Sequence, residues 1–420
     1  MKKSVLWGAI ALTLMATTAV TGCSNDNEKA DPWICTYPTG DNVRLTRAEQ
    51  EMVNSCNAFA FNLFRTAQSE LKGQVLSPLS ITYALGMLNN GAAGNTQAQI
   101  NKVLGFGNTG ADSINVFCNK MLNMASSLDP LTKVLIANNI YLNKGYELKA
   151  DFVAKAKAYY DAEPETRDFN DGQTKDVINK WAADHTEQMI TKLLDDNSFK
   201  PYFVSYLLNA IYFKGSWSSK FNKEETIRED FYHAGATEEM TYADMMHQTA
   251  RFEYAVSNGY QALRLPYGNG SFLMTVLLPL QTKSVNNLPT VPTASEWQQL
   301  NQKMDSALVD VMLPRFETST DIDLKDIMKK LGMTDAFDEE AADFRNFCNV
   351  PVYIGLMKQV AKIKVDEEGS EAAAVTVIGM DNKSASGPSY IAFHANHPFL
   401  YVISERQTGA VFFIGQYTGY

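Results

Sequence analysis

An α+β fold is what the residues predict, on three observations. Apolar residues at helical spacing dominate the first half of the chain, and short, strongly apolar runs dominate the second. The two kinds of segment do not alternate, which argues against a doubly wound parallel sheet. With 420 residues, 45% of them hydrophobic and 20% charged, the chain can bury a sizeable core. No internal repeat interrupts it.

The elements follow in order. Residues 48–71 place Phe59, Leu63 and Phe64 on one side of a helix. In "SPLSITYALGMLNNGA" Ser77 starts a second helix, Pro78 takes its first position and Gly91 stops it. Residues 176–194 read as a further helix, whereas 133–145 and 204–217 read as strands. "YGNGS" (267–271) lies between two apolar runs and predicts a hairpin turn. Runs 307–317, 358–367, 397–405 and 410–418 are strand-like, mostly too apolar to leave one face wet.

The first 22 residues stand outside the fold. They have a basic start, an apolar stretch short for a membrane span, and a small-residue exit that runs into Cys23 as "VTGC". This resembles a bacterial lipoprotein signal, with cleavage before Cys23 and lipid on its thiol; several acyl chains together anchor stably. A plain secretory signal is the alternative. Residues 23–47 then read as a polar tether and 48–420 as the folded domain. The expected location is the outer membrane, on its periplasmic or cell-surface face. The acidic "SNDNE" after Cys23 resembles an outer-face signal.

Several function classes are disfavoured. A net charge of −10 without long basic runs argues against a nucleic-acid partner. Cys35, Cys56, Cys118 and Cys348 are too widely spaced for a zinc pattern and read as free or buried thiols. "HANH" sets His394 and His397 three apart, but Pro398 and the apolar run behind them indicate the start of a strand, so no metal is expected. "GAAGNT" lacks the lysine of a phosphate loop, and neither G-x-S-x-G nor H-E-x-x-H occurs. No catalytic set and no cofactor motif emerge, so the expectation is a protein that is not an enzyme.

One segment fits neither core nor loop. "EEGSEAAAVTVIGM" (367–380) runs from two carboxylates through a glycine into small or apolar residues, before the polar "DNKSASGPS". Its context is carried by seven strings in order. "VLSPLSITYALGMLNNGAAGNTQAQINKVLGF" is followed by "NAIYFKGSWSSKFNKEET", "MTYADMMHQTARFEYA" and "LRLPYGNGSFLMTVLLP". Then come "DVMLPRFETSTDIDLKDIMKKLGMTDAFDEEAADF", "VDEEGSEAAAVT" and "FHANHPFLYVISERQTGAVFFIGQYT". From about residue 48 to the end, the chain resembles a serpin, a member of the serine protease inhibitor family. The resemblance implies three β-sheets, eight or nine helices and an exposed reactive-centre loop, here about 367–391. It implies a monomer that traps serine proteases as covalent complexes.

Serpin loop insertion is an established instance of strand addition and released strain, and that mechanism is taken over with the resemblance. What the residues themselves offer is suitability. In a strand Ser370, Ala372, Ala374 and Thr376 share one face, all small enough to turn inward, while Glu371, Ala373 and Val375 take the other, where a charge can stay wet. About ten new hydrogen bonds at roughly 0.5–1.5 kcal/mol each, plus buried apolar area, give on the order of 10 kcal/mol. That rivals the stability of a protease domain, about 5–15 kcal/mol. The alternative for "SEAAAV" is a helix turn capped by Ser370, which would suit a binding or chaperone-like serpin whose loop never inserts.

The resemblance also assigns positions. Glu367, Glu368 and Gly369 open the hinge. Counting about fourteen residues on, the reactive bond falls at Lys383–Ser384, and a lysine there suits a trypsin-like protease; Met380–Asp381 is a second candidate. Ser77, Ser80 and Asn209 match the polar cluster where the central sheet parts. Gln359 occupies a position that is usually His in the family, which would remove pH sensitivity there. Arg315 and Glu367 match a pair at the top of the slot, expected as an exposed contact of at most about 1 kcal/mol.

Overall fold

The computed structural model describes residues 43–68, 72–233, 240–280, 289–370 and 389–419. Helix α1 (Arg47–Ala67) precedes β1 (Gln74–Leu76), α2 (Pro78–Asn89), α3 (Gly94–Leu104) and α4 (Ala111–Ser127). Next come β2 (Thr132–Asn143), α5 (Ala150–Tyr160), β3 (Glu165–Arg167), α6 (Gln173–His185), β4 (Ser205–Ser216) and β5 (Ile227–Tyr232). Strands β6 (Met240–Ser257), β7 (Tyr260–Tyr267) and β8 (Phe272–Pro279) lead to α7 (Ala294–Lys303), β9 (Asp305–Pro314) and β10 (Phe316–Asp323). The chain ends with α8 (Lys325–Leu331), β11 (Leu356–Val365), β12 (Gly369–Ser370), β13 (Ile391–His394), β14 (Phe399–Glu405) and β15 (Val411–Tyr417). Eight α-helices thus stand among the described residues, and the class is α+β.

Local chemistry explains the helix ends. Thr46 and Glu49 form a reciprocal capping box at α1. Ser77 caps α2, accepting from the Ser80 amide, with Pro78 at the first turn as expected. Every residue of α2 is buried, which its nearly uniform apolar sequence permits. Helix α6 is shorter than its periodicity predicts. The chain turns at Glu187 and Gln188, both with positive φ, and Asn179 Oδ1 accepts from the amides of Leu193 and Leu194. Those leucines are buried, but from an irregular segment held by Asn179.

The strands form two hydrogen-bonded sheets. In the smaller the order is β10-β11-β4-β2-β3, with β12 beside β4. Strands β4 and β11 are parallel neighbours at its centre. The larger runs β1-β15-β14-β8-β7-β6-β9-β13, with β5 beside β6. The two further sheets expected are the two ends of this ladder, joined through β6. Its first part pairs β5, its middle β9 and its last residues β7.

Alternation along β4 separates two cores. Leu207, Ile211 and Phe213 join the main core, with α1, α2 and the larger sheet. Tyr206, Leu208 and Ala210 face a smaller one built with Ile178 and Ala182 of α6. The central sheet is therefore covered on both faces.

Candidate functional site

The top of β4 is where the smaller sheet departs from regularity. The β11–β4 ladder runs from Leu356↔Tyr206 to Lys362↔Tyr212 and stops there. Above it β4 keeps β2 on one edge, Thr132 lying opposite Gly215. On the other edge Gly369 pairs with Ser216 and Ser370 with Gly215, antiparallel. After β11 the chain has thus turned back and begun a new strand beside β4.

A tight turn makes this possible. The Asp366 amide donates to Gly369 O at 2.8 Å, and the Gly369 amide returns the bond to Asp366 O at 3.1 Å. Gly369 has φ +136°, and a Cβ there would lie 2.1 Å from Gly215 O, so only glycine fits. The Trp217 and Phe221 amides donate to Glu368 O and Glu367 O at 2.9 and 3.0 Å. Trp217 Nε1 donates to Asp366 O at 2.9 Å, and the indole stacks on Tyr267 at 4.3 Å. Tyr267 Oη lies 3.0 Å from Ser370 Oγ, with both side chains buried.

The two carboxylates of the turn are paired. Glu367 accepts from Arg315 Nη2 at 2.5 Å and from Thr226 Oγ1 at 2.6 Å. Burial alone would raise its carboxyl, but Arg315 and Thr226 hold it below the usual carboxylate range. Glu368 meets Lys220 at 2.7 Å and Lys223 at 3.1 Å, and the Lys220 bond leads in lowering its carboxyl. The Arg315–Glu367 pair is not the exposed contact expected. The Glu367 side chain is only 2% exposed, so losing Arg315 would strand a buried carboxylate, a loss of about 3 kcal/mol rather than 1.

Lower in the sheet, four of the expected residues converge. Gln359 Oε1 accepts from the Ser77 amide at 3.0 Å, and its Nε2 donates to Ser77 O at 3.1 Å and Asn209 Oδ1 at 2.5 Å. Asn209 Nδ2 donates to Ser80 Oγ and, at 2.6 Å, to Asn138 Oδ1. All are buried, so this polar knot ties β11, β4 and β2 to the start of α2. Arg315 lies apart from it, at the top of the sheet with Glu367. Asn138 has no signal in the sequence reading; it enters because β2 sets it opposite Asn209.

A family model described as Serpin (serine protease inhibitor) matches residues 54–419. The chain belongs to the serpin family. Neuroserpin of Gallus gallus is 32% identical over 380 residues, 88% of this chain and 92% of that relative. An uncharacterized serpin-like protein of Methanosarcina mazei is 29% identical, with 87% of each chain covered. Among solved structures, the thermophilic serpin tengpin in its native state superposes with a TM-score of 0.81 at 26% identity, over 90% of this chain and 96% of its own. Human thyroxine-binding globulin gives 0.78 at 26% identity, over 88% and 98%.

Of the residues expected to form the hinge of this serpin, Glu367, Glu368, Gly369 and Ser370 are described. Glu371, Ala372, Ala373, Ala374 and Thr376, both candidate reactive bonds, Cys23 with the signal segment, and Cys35 lie outside the described residues. Cys56, Cys118 and Cys348 are buried free thiols, and burial pushes the Cys56 thiol up to about 12. The two histidines of "HANH" part company: His394 bonds Asp310, while His397 Nε2 lies 3.0 Å from Pro279 O. Sequence reading also missed Lys220 and Lys223 as partners of Glu368, Thr226 as a partner of Glu367, and Tyr267 as a partner of Ser370.

Proposed function

We propose that this serpin is a suicide inhibitor of trypsin-like serine proteases, which traps the acyl-enzyme by drawing its cleaved reactive loop into the smaller sheet. One observation carries the reading: Gly369 and Ser370 already occupy the β4 edge above the point where β11 leaves it. Continuing that register downward would pair Ala372 with Phe213, Ala374 with Ile211 and Thr376 with Asn209. The small residues would then face the main core, as Ser370 does, and Thr376 would enter the Asn209–Gln359 knot. On the other face Glu371 would meet Lys214, but Ala373 and Val375 would meet the buried Tyr212 and Ala210. That face is wet only near the top of the sheet, so its lower positions also call for apolar residues. They have them.

Lys383 supplies the cation for an acidic primary pocket, and Ser384 begins the small, flexible "SASGPS" beyond it. The deciding experiment is incubation with trypsin, denaturing electrophoresis and mass spectrometry of the released fragment. A denaturant-stable complex and a fragment beginning at Ser384 are expected, and Lys383→Ala should slow the reaction at least tenfold. Cleavage without a complex would leave a binding serpin, the class that thyroxine-binding globulin exemplifies by name.

The same reading places the protein on a membrane through lipid at Cys23, because "VTGC" closes a signal-like segment. Cys23→Ala should shift it from membrane to soluble fractions. Unchanged partitioning would remove the anchor.

A further inference from the structure

Away from the turn at 366–370, the start of β11 builds a second polar site. The β10–β11 register sets Lys358 opposite Asp323, and because side chains alternate, Asp321 and Leu356 share their face. This is the side of the smaller core, which Leu356 joins with Tyr206 and Leu208. The segment between α6 and β4 brings Asp195 and Phe203 to it. These residues line a cavity of about 320 Å³, at the lower end of the range of small-ligand sites, about 300–1,000 Å³.

Lys358 is the unusual member. Its side chain is only 6% exposed, yet among the described residues its ammonium makes one pair, with Asp321 Oδ1 at 2.8 Å. An ammonium offers three protons, and a buried one costs free energy for each that finds no acceptor. The carboxylates are short of donors instead. Asp195 Oδ1 accepts from the Ser198 hydroxyl at 2.7 Å and from the Ser198 and Asn197 amides at 2.8 and 3.1 Å. These bonds, led by the hydroxyl, hold its carboxyl down to about 2, and Oδ2 takes none of them. Asp323 Oδ1 accepts from the Lys325 amide at 3.0 Å, and among the described residues Asp323 forms no ion pair. Phe203 and Leu356 supply an apolar wall, the Phe203 ring standing edge-on to Tyr206 with centroids 5.6 Å apart.

We propose that this cavity binds a free α-amino acid with an apolar side chain. The ligand carboxylate accepts the spare protons of Lys358, its ammonium donates to Asp323 and Asp195, and its side chain lies on Phe203 and Leu356. Simpler ligands leave a group unmet. Three carboxylates outweigh one ammonium here, so an anion alone meets net repulsion. A cation alone satisfies the carboxylates but faces Lys358 and leaves its protons as they were. A metal ion finds no set of three or more His, Cys, Asp or Glu able to hold it among the described residues. A zwitterion answers both signs, and so small a volume admits one amino acid rather than a peptide. The site lies at the opposite end of β11 from the hinge turn, so binding there does not depend on the inhibitor reading.

The test is isothermal titration calorimetry of the full chain at neutral pH, with L-leucine and its two singly charged analogues, isoamylamine and isocaproate. Leucine should bind once per chain and at least about tenfold more tightly than either analogue, since each lacks one set of charge-assisted contacts. Lys358→Met should reduce leucine to the affinity of isoamylamine, and Asp323→Asn should bring it toward that of isocaproate. Phe203→Ala should narrow the preference for leucine over glycine and leave glycine binding as it was. Thermal unfolding checks that each variant is folded. Asp323 is exposed, so its variant and the ligand series still decide the matter if Lys358→Met does not fold. No binding of leucine up to about 10 mM overturns the site. Equal binding of isoamylamine overturns the amino-acid assignment in favour of a plain cation. Leucine binding that survives both Lys358→Met and Asp323→Asn puts the ligand elsewhere and overturns the proposal as well.

Discussion

Gln359 shows how much one side chain settles. It is fully buried, and its amide both accepts from and donates to the Ser77 backbone while holding Asn209. The amide is neutral at every accessible pH, so the knot between β11 and β4 does not titrate there. Gln359→His should change that. A neutral imidazole can make one donated and one accepted bond, leaving a partner short by about 1 kcal/mol. Protonated, it would be a buried cation with no carboxylate among its partners, so its folded pKa would lie below its unfolded one. Stability would then be lost as pH falls below about 6.5, by up to about 1.4 kcal/mol per pH unit. Thermal unfolding from pH 7.5 to 5.5 measures this; parallel curves for parent and variant would reject it.

Among the elements, β12 is the shortest and the most consequential. Two residues pair with β4, and everything proposed for the loop extends that register. Ala374 would fall opposite Ile211, which is fully buried in the main core. Ala374→Arg should leave presentation of Lys383 intact but block entry, because an unpaired buried guanidinium costs about 3–5 kcal/mol. The variant should be cut as a substrate without retaining protease, and should lose most of the heat stability gained on cleavage. Glu371→Gln, opposite Lys214 near the wet top, should do little. Should Ala374→Arg still give covalent complex at parental stoichiometry, the hinge does not work by strand insertion.

For the molecule as a whole, acid pH acts on the turn at Glu367 and Glu368. Glu367 and Glu368 have lowered carboxyl pKa values, so their stabilisation is present above the usual glutamate range, near about 4.3, and is lost as pH falls through the folded values. Acidification from pH 5 to 3 should release the turn at residues 366–370. Glu367→Gln should be less stable at pH 5, by about 1–3 kcal/mol, but flatter below it. Thermal midpoints over that interval read the difference. Equal slopes would show that Glu367 carries no linked proton.

Much was legible in the chain itself. The Ser77–Pro78 start and the apolar β4 run are local, and sequence by itself determined the fold class and the family. Local periodicity failed where tertiary contacts replaced it. The segment after His185 carries helical spacing but is held open by Asn179. Glu367 looks like a surface carboxylate until Thr226 and Arg315, distant in sequence, enclose it. Asn138 and Tyr267 are unremarkable letters, because their partners Asn209 and Ser370 come from other strands. The same holds for Asp310, which meets His247 and His394 only after β6, β9 and β13 pair. Only the tertiary structure decided these, since burial and charge pairing depend on which strands become neighbours, and strand register is a long-range property that no short window of sequence contains.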